Sequence, residues 1–139
     1  VLFRSATSQQ FGVIGERTAD FLTWRFSQCN DLKYHIFALS RRGELLGYIV
    51  WYQAEEAACI VDLLANNEST VLLLAEFTRM ARRRHASAIR MSCFGSPEFY
   101  QRLQSVGFSR RQDSTAVLVR SSVATGDWYL TMADQDTDV

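Results

Sequence analysis

Three apolar runs decide the fold of this chain, and they read Tyr34-His35-Ile36-Phe37-Ala38-Leu39, then Leu45-Leu46-Gly47-Tyr48-Ile49-Val50-Trp51, then Cys59-Ile60-Val61-Asp62-Leu63-Leu64. Runs of this length, separated by polar turns, predict three consecutive antiparallel strands, and Gly43 supplies the positive φ of the first turn. The chain continues as a long helix, a strand and a second helix that closes on Gly107-Phe108. An antiparallel meander that runs straight into a βαβα unit is an uncommon order of elements, so it is informative about the fold.

The long helix is predicted to begin after Asn67, its expected N-cap, with Glu68 in the first turn, where a negative charge suits the helix dipole. Its buried stripe repeats at spacings of three and four and consists of Leu73, Leu74, Phe77, Met80 and Ala81. Residues 88–94 are predicted as one strand, and Ser96 is expected to cap the second helix with Pro97 at its first position. The junction between the third strand and the long helix is a natural anion site, because helix N-termini present unpaired N–H groups.

A chain of 139 residues is long enough for one domain with a sizeable core. Residues 18–134 are interpreted as that single domain, 1–17 as a poorly defined N-terminal segment and 135–139 as an acidic tail. Within the domain we expect a short helix over 18–26, capped by Thr18 or Asp20, and two closing strands at 115–120 and 128–132. The first residue is Val1 rather than methionine, and we expect residues to be missing upstream.

Composition excludes several kinds of protein. The formal net charge is +0, which gives no argument for a nucleic-acid or membrane partner. The cysteines, Cys29, Cys59 and Cys93, have no paired spacing, and an odd number of them without a secretory signal favours a reducing, cytoplasmic location. Cys59 and Cys93 fall in apolar strands and are expected to be buried thiols. No metal site is expected, since the aspartates near the C-terminus lack the glycine and distal glutamate of a calcium loop.

Several local sequences resemble the GNAT acyltransferase superfamily. The segment Arg42-Gly43-Glu44-Leu45-Leu46-Gly47-Tyr48-Ile49-Val50 is similar to the family's second hairpin, and Leu103-Gln104-Ser105-Val106-Gly107-Phe108 is similar to its helix ending in Gly-Phe. The segments 21–26 and 128–134 resemble a bacterial subgroup found near polysaccharide-biosynthesis genes. The resemblance covers roughly residues 18–134. It implies an α/β fold with a mixed, mostly antiparallel sheet and flanking helices, here lacking the family's first strand and helix.

The resemblance also implies acetyl-CoA as co-substrate, held between two diverging strands. The backbone of Leu63, Leu64 and Ala65 would then pair with the pantetheine arm as an added strand would. The pyrophosphate would lie on the N–H groups of the loop that follows, Asn67, Glu68, Ser69 and Thr70. The family's loop contains glycines and a leading arginine or glutamine, whereas this one contains neither glycine nor arginine, so the phosphate loop is degenerate.

Acyl transfer to an amine needs a base, oxyanion donors and an acid for the thiolate. Asp62 is the expected base, because a carboxylate inside an apolar strand is desolvated and its pKa rises. Tyr100 is the expected acid; it lies one turn before Leu103, which occupies the family's usual tyrosine position. The acceptor is expected to be a small-molecule amine or amino sugar.

Two other functions remain open at this point. The degenerate loop favours a non-catalytic GNAT-like module that binds a partner or ligand. An amino-acid transferase of the related fold used in peptidoglycan bridging would need a second domain copy upstream. Because an incomplete sheet leaves an edge strand unpaired, either a homodimer or poor solubility is also expected.

Overall fold

The structure is a computed structural model that describes residues 3, 7–27, 32–111 and 127–135. The strands are β1 (Val13–Ile14), β2 (His35–Arg41), β3 (Glu44–Ala54), β4 (Ala57–Ala65), β5 (Ala88–Met91), β6 (Cys93–Phe94) and β7 (Trp128–Thr131). The helices are α1 (Ala19–Ser27), α2 (Thr70–Arg83) and α3 (Pro97–Ser105), and a 3₁₀ turn spans Met132–Asp134. The expected strand at 115–120 lies outside the described residues. The described part is therefore a mixed α/β fold, as the sequence predicted.

The described strands form two sheets, and in the larger one the strands follow their order in the sequence. One is four-stranded, in the order β2-β3-β4-β5, and the other is three-stranded, in the order β1-β7-β6. The pairs β2–β3 and β3–β4 are antiparallel, whereas β4–β5 is parallel. This confirms the predicted meander and the change to a βαβα connection. Arg42 and Gly43 both have positive φ in the first turn, as a tight hairpin requires.

The core lies mainly between β3, β4 and α2. Every residue of β4 is buried, so this central strand is covered on both faces. On one face, Leu73, Leu74 and Phe77 of α2 are each 0% exposed and Ala81 is 1% exposed. These four residues of the predicted stripe are confirmed, whereas Met80 is only partly buried against the same cluster. The other face carries the smaller cluster of Tyr48, Val50, Val61 and Leu64, against which residues of α1 pack. None of the helices in the described ranges is long and apolar enough to cross a membrane.

Helix capping agrees with the sequence at two of three places. The Thr18 side chain accepts from the Phe21 N–H at 3.1 Å and caps α1. Ser96 accepts from the Phe99 N–H at 3.2 Å, with Pro97 at the first helical position of α3. The predicted cap of the long helix is wrong, because α2 begins at Thr70 and its N-cap position is Ser69. Glu68 consequently precedes the helix instead of lying in its first turn.

The strand predicted over residues 88–94 is also divided. β5 pairs with β4 in one sheet, whereas β6 pairs with β7 in the other. Ser92 separates them, so the chain leaves the first sheet at Met91 and enters the second at Cys93. Because of this division, the end of β4 has no β5 residue paired with it.

Candidate active site

The site is built where β4 and β5 separate. Their parallel pairing runs from Ala57 opposite Ala88 to Ile60 opposite Met91. Beyond this point β4 continues to Ala65, while the other strand turns away into the second sheet. The last residues of β4 therefore have an edge that β5 does not cover. This V-shaped divergence is the geometry that the sequence resemblance implied.

Two side chains bind the backbone of β4 along that edge. The Tyr129 hydroxyl donates to the Leu63 carbonyl oxygen at 2.5 Å, and the Gln10 amide nitrogen donates to the Ala65 carbonyl oxygen at 2.6 Å. Successive backbone groups along a strand point to opposite edges, so Leu64 presents its groups to β3. Of the three residues expected to pair with an acyl carrier, Leu63 and Ala65 therefore face the divergence.

The loop between β4 and α2 uses most of its N–H groups within the chain. The Asn66 side chain accepts from Ser69 N at 2.8 Å, and the Asn66 carbonyl accepts from Thr70 N at 3.1 Å. The Asn67 N–H donates to the side-chain oxygen Oε1 of Gln10 at 3.0 Å. Three of the four amides expected to hold a pyrophosphate thus already have partners, and the adjacent Glu68 is acidic and exposed.

Behind the divergence, a buried ion network surrounds Asp62. Arg17 donates from Nε to Asp62 Oδ1 at 3.0 Å, and from Nη1 and Nη2 to the two oxygens of Asp134 at 2.7 and 2.5 Å. Its remaining N–H groups donate to the Glu16 carbonyl at 3.0 Å and to Thr131 Oγ1 at 3.2 Å. All five guanidinium donors are satisfied.

The Asp62 carboxylate accepts two further hydrogen bonds and is 0% exposed. The hydroxyl of Thr131 donates to Oδ1 at 2.8 Å and that of Tyr48 donates to Oδ2 at 3.0 Å. Burial raises the pKa of the Asp62 carboxyl, while the Arg17 charge and the two hydroxyl donors lower it and offset part of the rise. Burial likewise raises the pKa of the Tyr48 hydroxyl, and the Asp62 charge adds to that rise. The network joins β4 to β7 and to the segment before α1.

The predicted acid, Tyr100, lies on α3. Its hydroxyl oxygen accepts from the Gly95 N–H at 3.1 Å, which leaves the hydroxyl proton free to be donated elsewhere. Its neighbour Phe99 packs edge-on against Tyr129, with ring centroids 5.1 Å apart. Tyr100 is therefore on the helix that flanks the divergence, whereas Asp62 lies behind β4 in the buried network.

Solved structures share this arrangement of elements. The ribosomal-protein-S18-alanine N-acetyltransferase of Escherichia coli superposes with a TM-score of 0.58 at 10% identity, covering 77% of this chain and 70% of that one. The ribosomal-protein-alanine N-acetyltransferase of Brucella melitensis biovar Abortus 2308 gives 0.56 at 16% identity, covering 83% and 87%. The chain has the GNAT acyltransferase fold.

A third structure with the GNAT fold is an aminoglycoside acetyltransferase, meta-AAC0020, from an uncultured soil metagenomic sample, in complex with trehalose. It superposes with a TM-score of 0.53 at 11% identity, covering 86% of this chain and 84% of that one. No family model matches the chain, and no curated protein matches its sequence. The likeness to these proteins is thus one of fold.

Sequence reasoning missed three residues of this GNAT-fold site. Gln10 and Arg17 lie in the segment interpreted as poorly defined, yet their side chains contact Ala65 and Asp62. Tyr129 is a core residue that is 1% exposed, and its hydroxyl also binds the Leu63 carbonyl of β4. A buried tyrosine needs a partner for its hydroxyl, and that requirement is the signal that sequence offered. Within the described ranges, no cluster of three or more His, Cys, Asp or Glu is placed to hold a metal ion.

Replacing Tyr129 with phenylalanine is expected to lower the free energy of unfolding by about 1–3 kcal/mol, because the buried Leu63 carbonyl loses its donor while the ring contacts remain. Urea denaturation of the two proteins measures the difference. A change below about 0.5 kcal/mol, which is typical of surface substitutions, would mean that water reaches the Leu63 carbonyl and that the divergence is open there.

Proposed function

We propose that this chain is an acyl-CoA-dependent N-acyltransferase that transfers an acetyl group to an amine. The observation that supports this most directly is the divergence of β4 from β5 after Ile60 and Met91. It leaves Leu63 and Ala65 beside a gap between the two strands, where side chains of Tyr129 and Gln10 take the place of backbone partners from β5. Such an edge binds an extended, amide-bearing molecule in the way that a sheet binds an added strand. The solved structures with this fold named above are acetyltransferases.

The reaction forms a C–N bond and breaks a C–S bond. The amine nitrogen attacks the thioester carbon, the carbonyl oxygen gains negative charge, and the thiolate leaves with the electron pair of the C–S bond. The Ala65 N–H faces the same gap as its carbonyl, and it is the proposed donor to that oxygen. Tyr100 is the proposed acid for the thiolate, since its hydroxyl proton is not used in the bond with Gly95.

Asp62 remains the proposed base, and its surroundings define what that role requires. Both of its oxygens accept hydrogen bonds in a network that excludes water. To take a proton from an ammonium group it must first become accessible to that group, because it is 0% exposed. If it stays buried, its role is structural: it binds Arg17 and Thr131 and so holds β7 in place beside the gap.

The two parts of the donor fit the chain unequally. The end of β4 suits the pantetheine arm, because the Ala65 carbonyl and the nearby Asn67 N–H already bind a carboxamide there. The loop at 66–70 suits a pyrophosphate poorly, since three of its N–H groups have partners and Glu68 adds a negative charge. The arm is therefore the proposed main source of donor affinity.

For the acceptor we propose a small-molecule amine or amino sugar. Of the related structures, two have names that specify a ribosomal-protein alanine and one has a name that specifies an aminoglycoside. All three names specify amines, which agrees with amine chemistry and leaves the acceptor to be found by assay.

A cytoplasmic location and a homodimer remain predictions; the exposed Ile36, 72% accessible on β2, is a place where a second copy would pair.

A non-catalytic GNAT-like module is the second candidate, and one observation favours it. The gap beside β4 already contains the Gln10 amide and the Tyr129 hydroxyl. If these contacts are permanent, the edge has no room for an acyl carrier. The two candidates differ in whether acetyl-CoA binds.

Isothermal calorimetry with acetyl-CoA tests the proposal. A catalytic protein is expected to bind with a dissociation constant between about 1 μM and 1 mM, the range of typical Michaelis constants. Binding would be followed by thiol release when a panel of amines and amino sugars is added. Absence of heat at several millimolar donor would remove the proposed function and leave the non-catalytic module.

A further inference from the structure

The contact between Gln10 and the end of β4 has the hydrogen-bond pattern that an added parallel strand would make. In a parallel pair, one residue donates its N–H to the carbonyl before its neighbour and accepts from the N–H after it. The Gln10 carboxamide does both around Asn66, donating to the Ala65 carbonyl at 2.6 Å and accepting from the Asn67 N–H at 3.0 Å. A side-chain amide thus takes the place of one backbone amide of an added strand.

The neighbouring residues hold Gln10 in that place. Phe11 stacks on Tyr129 with ring centroids 4.6 Å apart and an angle of 19°. The N–H groups of Gly12 and Val13 both donate to the Asp127 carbonyl, at 3.0 and 3.1 Å. β1 then pairs in parallel with β7. Because the backbone is fixed by these contacts, rotation of the Gln10 side chain alone is enough to free the Ala65 carbonyl at the end of β4 and the Asn67 N–H in the loop after it.

We propose that Gln10 is an internal competitor of the acyl donor, so that the donor binds only when the Gln10 carboxamide leaves β4. The inference rests on the proposed function and adds to it a step that regulates donor binding. The pantetheine arm carries secondary amides, which offer the same donor and acceptor as a carboxamide. Two such groups cannot occupy the Ala65 carbonyl and the Asn67 N–H together. The apparent affinity for the donor then equals the intrinsic affinity multiplied by the fraction of molecules in which this edge is free.

Calorimetry of Gln10→Ala with acetyl-CoA and with pantetheine tests the inference. Removing two hydrogen bonds that hold the closed state is expected to tighten both ligands by about tenfold. The adenosine bisphosphate half of the donor lacks the arm and so cannot use the freed Ala65 carbonyl, and it is expected to gain clearly less affinity from the substitution than acetyl-CoA and pantetheine do. Gln9→Ala is the matched control, because Gln9 is the same residue type on the exposed side of the segment, and its affinities should stay unchanged.

Three results would overturn the inference. Equal binding of acetyl-CoA by Gln10→Ala and the unchanged protein would show that Gln10 does not compete, while the proposed function stands. Weaker binding by the variant would make Gln10 part of the donor site. Absence of binding by both proteins would remove the proposed function and this inference with it. Should Gln10→Ala fold poorly, Gln10→Met keeps the length of the side chain without its polar groups and must give the same tightening.

Discussion

Replacing Arg17 with methionine is expected to lower the free energy of unfolding by about 3–5 kcal/mol, the usual cost of removing one partner of a buried ion pair. The Arg17 side chain is 1% exposed, and those of Asp62 and Asp134 are 0% and 10% exposed. Without the guanidinium, two carboxylates remain close together with little access to water. Urea denaturation at pH 7 measures the loss.

The same variant carries its own signature in pH. Burial already raises the pKa of Asp62, and loss of the Arg17 charge raises it further. A carboxyl whose pKa is higher in the folded than in the unfolded state contributes stability that is present at low pH and lost as pH rises through the folded value. The gap in stability between Arg17→Met and the unchanged protein should therefore narrow as pH falls from 7 toward about 4, the ordinary carboxyl value.

Arg79→Met is the matched control for this prediction. Arg79 pairs with Glu76 at 3.0 Å, but the Arg79 side chain is 65% exposed. An exposed pair contributes at most about 1 kcal/mol, so this variant should be close to the unchanged protein at every pH. If Arg17→Met behaved like Arg79→Met, the network around Asp62 would have to be solvated.

Truncation of Phe77 to alanine is expected to destabilise the fold by about 3–5 kcal/mol, because it removes a fully buried aromatic ring and leaves a cavity. Phe77 is 0% exposed. Its ring lies 5.6 Å from those of Phe37 and Trp51, edge-on to both. Thermal and urea unfolding of the variant measure the effect on the contact between α2 and the sheet.

Leu72→Ala is the comparison for Phe77→Ala, since Leu72 lies on the same helix and is 49% exposed. Its removal should change the free energy of unfolding by about 0.5 kcal/mol or less. Equal effects of the two substitutions would contradict the assignment of the buried face of α2.

Helix starts that depend on neighbouring residues in the sequence were predictable. Ser96 and Pro97 determine the start of α3 through a cap and a fixed φ, and both signals are local. The start of α2 was predicted wrongly because Asn66 and Asn67 offer the same side-chain chemistry. Asn66 binds the N–H of Ser69 and closes a turn before the helix, a use of asparagine that competes with helix capping.

For the candidate site, the sequence suggested which residues to consider but not which other residues they bind. Asp62 was predicted to be the base because it is acidic and lies in an apolar strand, and that role stays a prediction. Its side-chain contacts include Arg17 and Thr131, which are 45 and 69 residues away. No periodicity links such positions. Gln10 lies in a segment without a recognisable pattern, so its contact with Ala65 is visible only when the fold is known.

The ion network also has a consequence for the order in which the chain folds. Its bonds close loops of 45, 69 and 117 residues, and contacts this distant carry a loop-closure cost that slows their formation. The meander of β2, β3 and β4 needs only short hairpins and can form earlier. Asp62 is then expected to stay hydrated in the nascent protein until Arg17 and Asp134 have both docked, which makes charge burial a late step on the folding pathway.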